Sequence, residues 1–161
     1  MENFDEVCNW ENLFQQSETF KNNKPFKYAF VEEFFKHDFY EKLFETYPEY
    51  DKDDENWSTS TKFSKHQFSR GWGKYGPGDY ARKELDPKLG PEWNKFFRFL
   101  HSDEFLNALK KFSGVAIDKM KTFRFMLYHK GGFQLPHIHN DGPSTLIVFF
   151  YFSKGWEKGD P

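Results

Sequence analysis

The spacing of apolar residues changes rhythm near residue 114. Upstream it is helical: Phe39, Leu43 and Phe44 follow Asp38, which suits an N-cap, and Pro48 stops the run. Pro91 fits the first turn of a second helix carrying Trp93, Phe96, Phe97 and Leu100. Ser102-Asp-Glu-Phe105 reads as the cap of a third helix. Its apolar face is Phe105, Leu106, Leu109 and Phe112, and Gly114 stands at its C-terminal cap. Downstream the period falls to two. Phe123, Phe125 and Leu127 alternate with Thr122, Arg124, Met126 and Tyr128, the mark of a half-buried strand. A turn at Lys130-Gly-Gly132 leads to a second extended segment, Phe133 to Asp141, and Gly142-Pro143 bends the chain. Leu146 to Phe152 is an unbroken apolar run that predicts a strand buried on both faces. Near-alternating aromatics from Phe26 to Phe35 predict one earlier strand.

Helices first and strands last predict an α+β protein with an antiparallel sheet in its C-terminal part. Residues 1–24 read as a polar N-terminal segment closed by the loop signal Lys21-Asn-Asn-Lys-Pro25. The acidic stretch Glu49 to Glu55 reads as a solvated turn. Residues 56–90 are the least regular: Trp57 to Thr61 is strand-compatible, and Gly71 to Gly78 is a glycine-rich loop without the spacing of a phosphate cradle.

Composition sharpens this picture. Only 37% of the 161 residues are hydrophobic, yet 22 Phe, 8 Tyr and 5 Trp make 22% of the chain aromatic. Disordered chains are poor in aromatics, so most of this one has the means to fold around rings. A net charge of −2 argues against a nucleic-acid clamp. The single cysteine, Cys8, excludes an internal disulfide and reads as an unremarkable thiol near a terminus. No run approaches the ~18 apolar residues of a membrane helix, and the acidic start is unlike a signal peptide. The expectation is a cytoplasmic protein with neither membrane nor nucleic acid as partner.

The stretch that carries chemistry is Leu135-Pro-His-Ile-His-Asn-Asp-Gly-Pro143. On an extended strand His137, His139 and Asp141 share one face. Two imidazoles and a carboxylate there form a divalent-metal half-site; for iron, His-X-Asp supplies two ligands of a 2-His-1-carboxylate triad. The plainer reading is a solvated strand-to-turn junction with Asp141-Gly142 as turn residues. Spacing leaves both open.

From about residue 25 onward the chain resembles the 2-oxoglutarate/Fe(II)-dependent dioxygenases, in particular the prolyl-hydroxylase-like branch. Phe26 to Phe35 followed by Phe39 to Pro48 is similar to that family's opening strand and helix. Pro91-Glu-Trp-Asn-Lys-Phe-Phe97, Leu100 to Leu106 and Phe112-Ser-Gly114 look like its helical support. Tyr128-His-Lys-Gly131, the His-X-Asp of residues 139–141 and Tyr151 to Trp156 look like its barrel strands. The resemblance implies helices (within 25–118) supporting a double-stranded β-helix, or jelly roll, whose first metal-bearing strands occupy 119–161.

It also implies Fe(II) as metal, 2-oxoglutarate as co-substrate and ascorbate as accessory reductant, with a small molecule or peptide hydroxylated. His139 and Asp141 become the iron ligands and Tyr128 a hydrogen-bond partner for 2-oxoglutarate, with no catalytic side chain beyond the ligands. His137 is the alternative ligand, since the distance from Tyr128 favours it; His139-Asn-Asp141 is preferred because only that frame supplies a carboxylate. In the family a second metal histidine and a cation for the co-substrate follow, whereas this sequence stops at Gly159-Asp-Pro161. The expectation is a fragment, inactive alone, whose barrel is incomplete at its C-terminal end and whose exposed edge invites homo-oligomers. Two rival classes are a cupin-like metal-binding barrel without oxygenase activity and a non-catalytic aromatic-rich binding module.

Overall fold

The computed structural model describes residues 2–59, 62–71, 86–136 and 144–155. Among them are five helices, α1 (Trp10–Gln15), α2 (Ser17–Asn22), α3 (His37–Glu45), α4 (Pro91–Leu100) and α5 (Asp103–Ser113). Three strands, β1 (Trp57–Thr59), β2 (Ser64–Gly71) and β3 (Arg124–Gln134), form one antiparallel sheet in the order β1-β2-β3. The protein is α+β.

The helices with the clearest local signals form where the sequence places them. Ser102 Oγ accepts from the Phe105 N–H at 3.2 Å, and Gly114 closes α5 at φ 70°, a left-handed cap that glycine adopts without cost to a side chain. Pro91 opens α4. For α3 the cap position falls on Lys36, and Asp38 lies in the first turn, where its charge still meets the positive end of the helix.

The core is a stack of rings. Trp93, Phe96 and Phe99 of α4 are fully buried. Phe35 meets Phe96 at 5.3 Å, Phe150 at 5.4 Å and Phe152 at 5.6 Å. Trp93 keeps its indole polar handle satisfied, donating Nε1–H to Thr46 O at 2.9 Å. The N-terminal segment is integral to this core. Phe4, Val7, Cys8, Leu13 and Phe20 are buried, and Ser17 Oγ donates to Phe112 O at the end of α5. Cys8 is inert for the same reason: burial, helped by the Glu104 charge, pushes its thiol up to about 12.

Three expectations are corrected. Phe26 to Phe35 forms no strand; its contact with a neighbouring backbone is the isolated bridge Cys8↔Phe35, and Phe26 and Phe30 point to solvent. Leu146 to Phe152 is buried on one face only. Phe150 and Phe152 enter the core, Phe149 and Tyr151 are exposed, and the run pairs with no strand among the described residues. β1 falls in the stretch read as strand-compatible, but β2 also precedes α4, within the irregular residues 56–90. The buried residues of β2 include Ser64, Gln67 and Arg70, polar residues of which Gln67 and Arg70 find their partners far away in sequence, so no apolar rhythm announces the strand.

Arg70 shows what such partners do. Its guanidinium is buried between two carboxylates, with Nε 3.3 Å from Asp54 Oδ2 and Nη1 2.9 Å from Asp86 Oδ2. Asp54, inside the stretch read as a solvated turn, is therefore a buried anchor. Burial alone would raise its carboxyl, but hydrogen bonds from the Asn56 backbone, Lys88 and the Asn56 side chain, with the Arg70 charge, bring it down to about 2.

Candidate functional site

Pairing in the sheet sorts its side chains into two faces. Phe125 and Leu127 of β3 share a side with Arg70 and Phe68 of β2, and Phe125 packs 4.8 Å from Trp93 on the helical side. Met126 and Tyr128 share the opposite face with Ser69 and Gln67. Ser58 of β1 joins that face, its hydroxyl 2.8 Å from Ser69 Oγ. This second face is polar and open to solvent at Tyr128 and Met126. On the outer edge of β3, Tyr47 Oη accepts the Met126 N–H and donates to the Met126 C=O, both at 3.2 Å.

The ladder between β2 and β3 is interrupted beside Tyr128. Gln67 opposes Tyr128 and Lys65 opposes Phe133, so His66 alone faces residues 129–132. That is a β-bulge of unusual size. It is built from a left-handed His66 (φ 48°) and Gly131 (φ 72°), with His66 Nδ1 3.3 Å from Lys130 O. Gly132 is required by close approach: a Cβ there would sit 2.7 Å from His129 O and 3.0 Å from His66 O. His129 lays its ring on Phe68 at 4.5 Å, on the other side of the sheet.

The bulge folds the end of β3 back onto its own tyrosine. Tyr128 Oη accepts from Gln67 Nε2 at 2.6 Å and donates to Gln134 Oε1 at 3.3 Å. Burial raises the Tyr128 pKa, the Gln67 hydrogen bond opposes, and the nearby Tyr151 phenol raises it further. The phenol is thus protonated at neutral pH. It keeps one acceptor lone pair, and its proton can swing from Gln134 to a ligand carboxylate. Gln67, Gln134 and Tyr151 were not legible as site residues. Gln67 lies in a segment without periodicity, and the other two are recognisable only once the bulge and the exposed face of 146–152 are known.

Just beyond Gln134 the Leu135 N–H donates to Phe63 O at 2.6 Å, fixing where the strand leaves the sheet. The candidate ligands His137, His139 and Asp141 follow, and they lie outside the described residues. Tyr128 is described, and it sits on the strand that leads into them. Among the described residues no three His, Cys, Asp or Glu side chains gather in a metal-holding group. The other histidines serve locally: His37 lies 4.0 Å from Glu41, and His101 Nδ1 is 2.8 Å from Phe97 O.

No helix among the described residues is long and apolar enough to cross a membrane. No known family of proteins matches this sequence, and no curated protein and no solved structure matches it either.

Proposed function

We propose that residues 25–161 carry part of a non-haem iron, 2-oxoglutarate-dependent oxygenase, with β1 to β3 as early strands of a double-stranded β-helix and the helices as its support. One observation carries the reading. The strand that holds a doubly hydrogen-bonded phenol on the open face of the sheet ends at Gln134, and His139-Asn-Asp141 follows closely in the sequence. An imidazole and a carboxylate two residues apart suit a divalent first-row metal, and a neutral phenol suits a carboxylate ligand. His139 and Asp141 would hold the iron, and Tyr128 would orient the co-substrate. Iron, 2-oxoglutarate and O₂ together supply oxidation of an unactivated C–H bond, with succinate and CO₂ as by-products. The chain's own contribution is positional. Gln67 fixes the Tyr128 ring by donating to its oxygen, which leaves the phenolic proton free to choose between Gln134 and an incoming carboxylate.

Calorimetric titration with Fe(II) under argon, followed by 2-oxoglutarate, tests this reading. His139→Ala and Asp141→Ala abolish Fe(II) binding, and Tyr128→Phe weakens 2-oxoglutarate by roughly tenfold, the worth of one hydrogen bond to a charged group. Equal loss in His137→Ala and His139→Ala, with no response to 2-oxoglutarate, favours a metal-binding barrel without oxygenase chemistry. Fe(II) binding that survives both His139→Ala and Asp141→Ala overturns the assignment.

A further inference from the structure

We infer that the end of the sheet beyond the β-bulge binds single-stranded nucleic acid, with Phe63 and Phe133 as stacking rings and Lys62, Lys65 and Lys130 as phosphate contacts. The net charge of −2 conceals an uneven distribution. Residues 56–71 and 119–136, which include all three strands, hold seven Lys and Arg and no Asp or Glu. Of the seven, Arg70 is buried between its two carboxylates. Lys62, Lys65 and Lys130 are exposed, and none of them pairs with a carboxylate among the described residues. The acidic stretch Glu49 to Glu55 leads into β1 at Trp57, which pairs with Arg70, so it lies toward the other end of β2 from Lys65.

Strand register gathers rings and cations on one face. Lys65 opposes Phe133 and Ser64 opposes Gln134; the Leu135 N–H bond to Phe63 O carries the same register one pair further. Phe63, Lys65, Phe133 and Leu135 therefore share a face, the one turned away from Gln134. Phe63, Phe133 and Leu135 are 45, 47 and 47% exposed. The two rings stand on a cross-strand diagonal, about 7–8 Å apart at Cβ, a spacing that accepts neighbouring bases. Lys62 Nζ lies 4.8 Å from the Phe63 ring, and His66 Nδ1, 3.3 Å from Lys130 O, ties the third lysine to β2. The close approach of Gly132 to the Lys65 and His66 carbonyls fixes the backbone beneath them, so little order has to be supplied on binding. Positive charge selects a polyanion, and the rings select among polyanions. A phosphate chain that carries flat bases engages both, whereas an acidic peptide leaves the ring faces unused. The inference stands apart from the iron reading.

Fluorescence anisotropy of a labelled single-stranded oligonucleotide of about twelve nucleotides, with EDTA present so that no metal takes part, tests the inference on the full chain. The wild-type chain binds deoxythymidine and uridine oligomers at low salt. The logarithm of its affinity falls against that of salt with a slope of about −2, three phosphates at roughly −0.7 each. Lys65→Gln brings the slope to about −1.4. Phe63→Ala and Phe133→Ala each weaken binding roughly tenfold at unchanged slope, the worth of one stacked base, with the circular dichroism of the chain unaltered. A wild-type chain that binds neither oligomer, an affinity that both ring substitutions leave unchanged, or equal displacement by polyglutamate or by anionic vesicles overturns it.

Discussion

β3 and the run Leu146–Phe152 approach the same rings with opposite fates. Phe125 of β3 lies 5.5 Å from Tyr47 and 4.8 Å from Trp93, and is 1% exposed. Phe152 reaches the same two rings at 5.6 and 5.3 Å. The side chains are nearly equivalent, but the backbones are not. β3 has β2 along one edge and the Tyr47 hydroxyl against the other, whereas the later run has neither among the described residues. Apolar spacing chooses which face turns inward. A strand needs, in addition, a neighbouring backbone.

The largest test of that contrast is a pair of truncations measured by denaturant unfolding at concentrations where the chain is single. Phe125→Ala leaves a hole among Tyr47, Trp93 and Phe123 and costs about 3–5 kcal/mol, whereas Phe149→Ala stays within about 0.5 kcal/mol. Equal costs would mean that the later run is buried after all. Acid probes the sheet from its other side. Because the folded Asp54 carboxyl is depressed to about 2, its contribution is present above the ordinary value of 3.8 and is lost as pH falls from about 4 to about 2. The loss is on the order of 2 kcal/mol by the same linkage. Asp54→Asn removes that slope, and a slope that persists would place the acid-labile group elsewhere. Tyr47→Phe makes the finest separation. The ring contacts to Phe125 and Phe152 remain and both hydrogen bonds to Met126 vanish, at about 1 kcal/mol. Hydrogen exchange then quickens at the Met126 amide and nowhere on residues 146–152.

Legibility followed the distance over which each element is decided. α5 is settled within thirteen residues, from the Ser102 cap to Gly114, and it forms as the sequence predicts. The alternation of Phe123 to Tyr128 likewise names the inward face of β3. β2 escaped because its buried side chains are polar and answer to Asp54, Asp86 and Tyr128, up to 61 residues away. The aromatics of Phe26 to Phe35 have strand-like spacing, but the rings pair along the chain, Phe26 with Tyr28 and Tyr28 with Phe30, instead of across a ladder. Of the candidate site, Tyr128 enters through the family resemblance of its strand and not through spacing. The two glutamines that position its proton have no signal in the sequence, since the bulge that gathers them follows from a tight approach at Gly132.

The Arg70 guanidinium has a consequence for how this protein can vary. It holds Asp86 at 2.9 Å, so the chain before residue 72 and the chain after residue 85 meet at one buried contact. Asp86 is fastened in turn to α4, exchanging hydrogen bonds with the Asn94 side chain at 3.0 and 3.1 Å. The ends of the intervening stretch are therefore fixed by side chains outside it. Arg70, Asp86 and Asn94 are therefore coupled: a substitution at any one removes a buried partner of the next, so the three positions are free to vary only together.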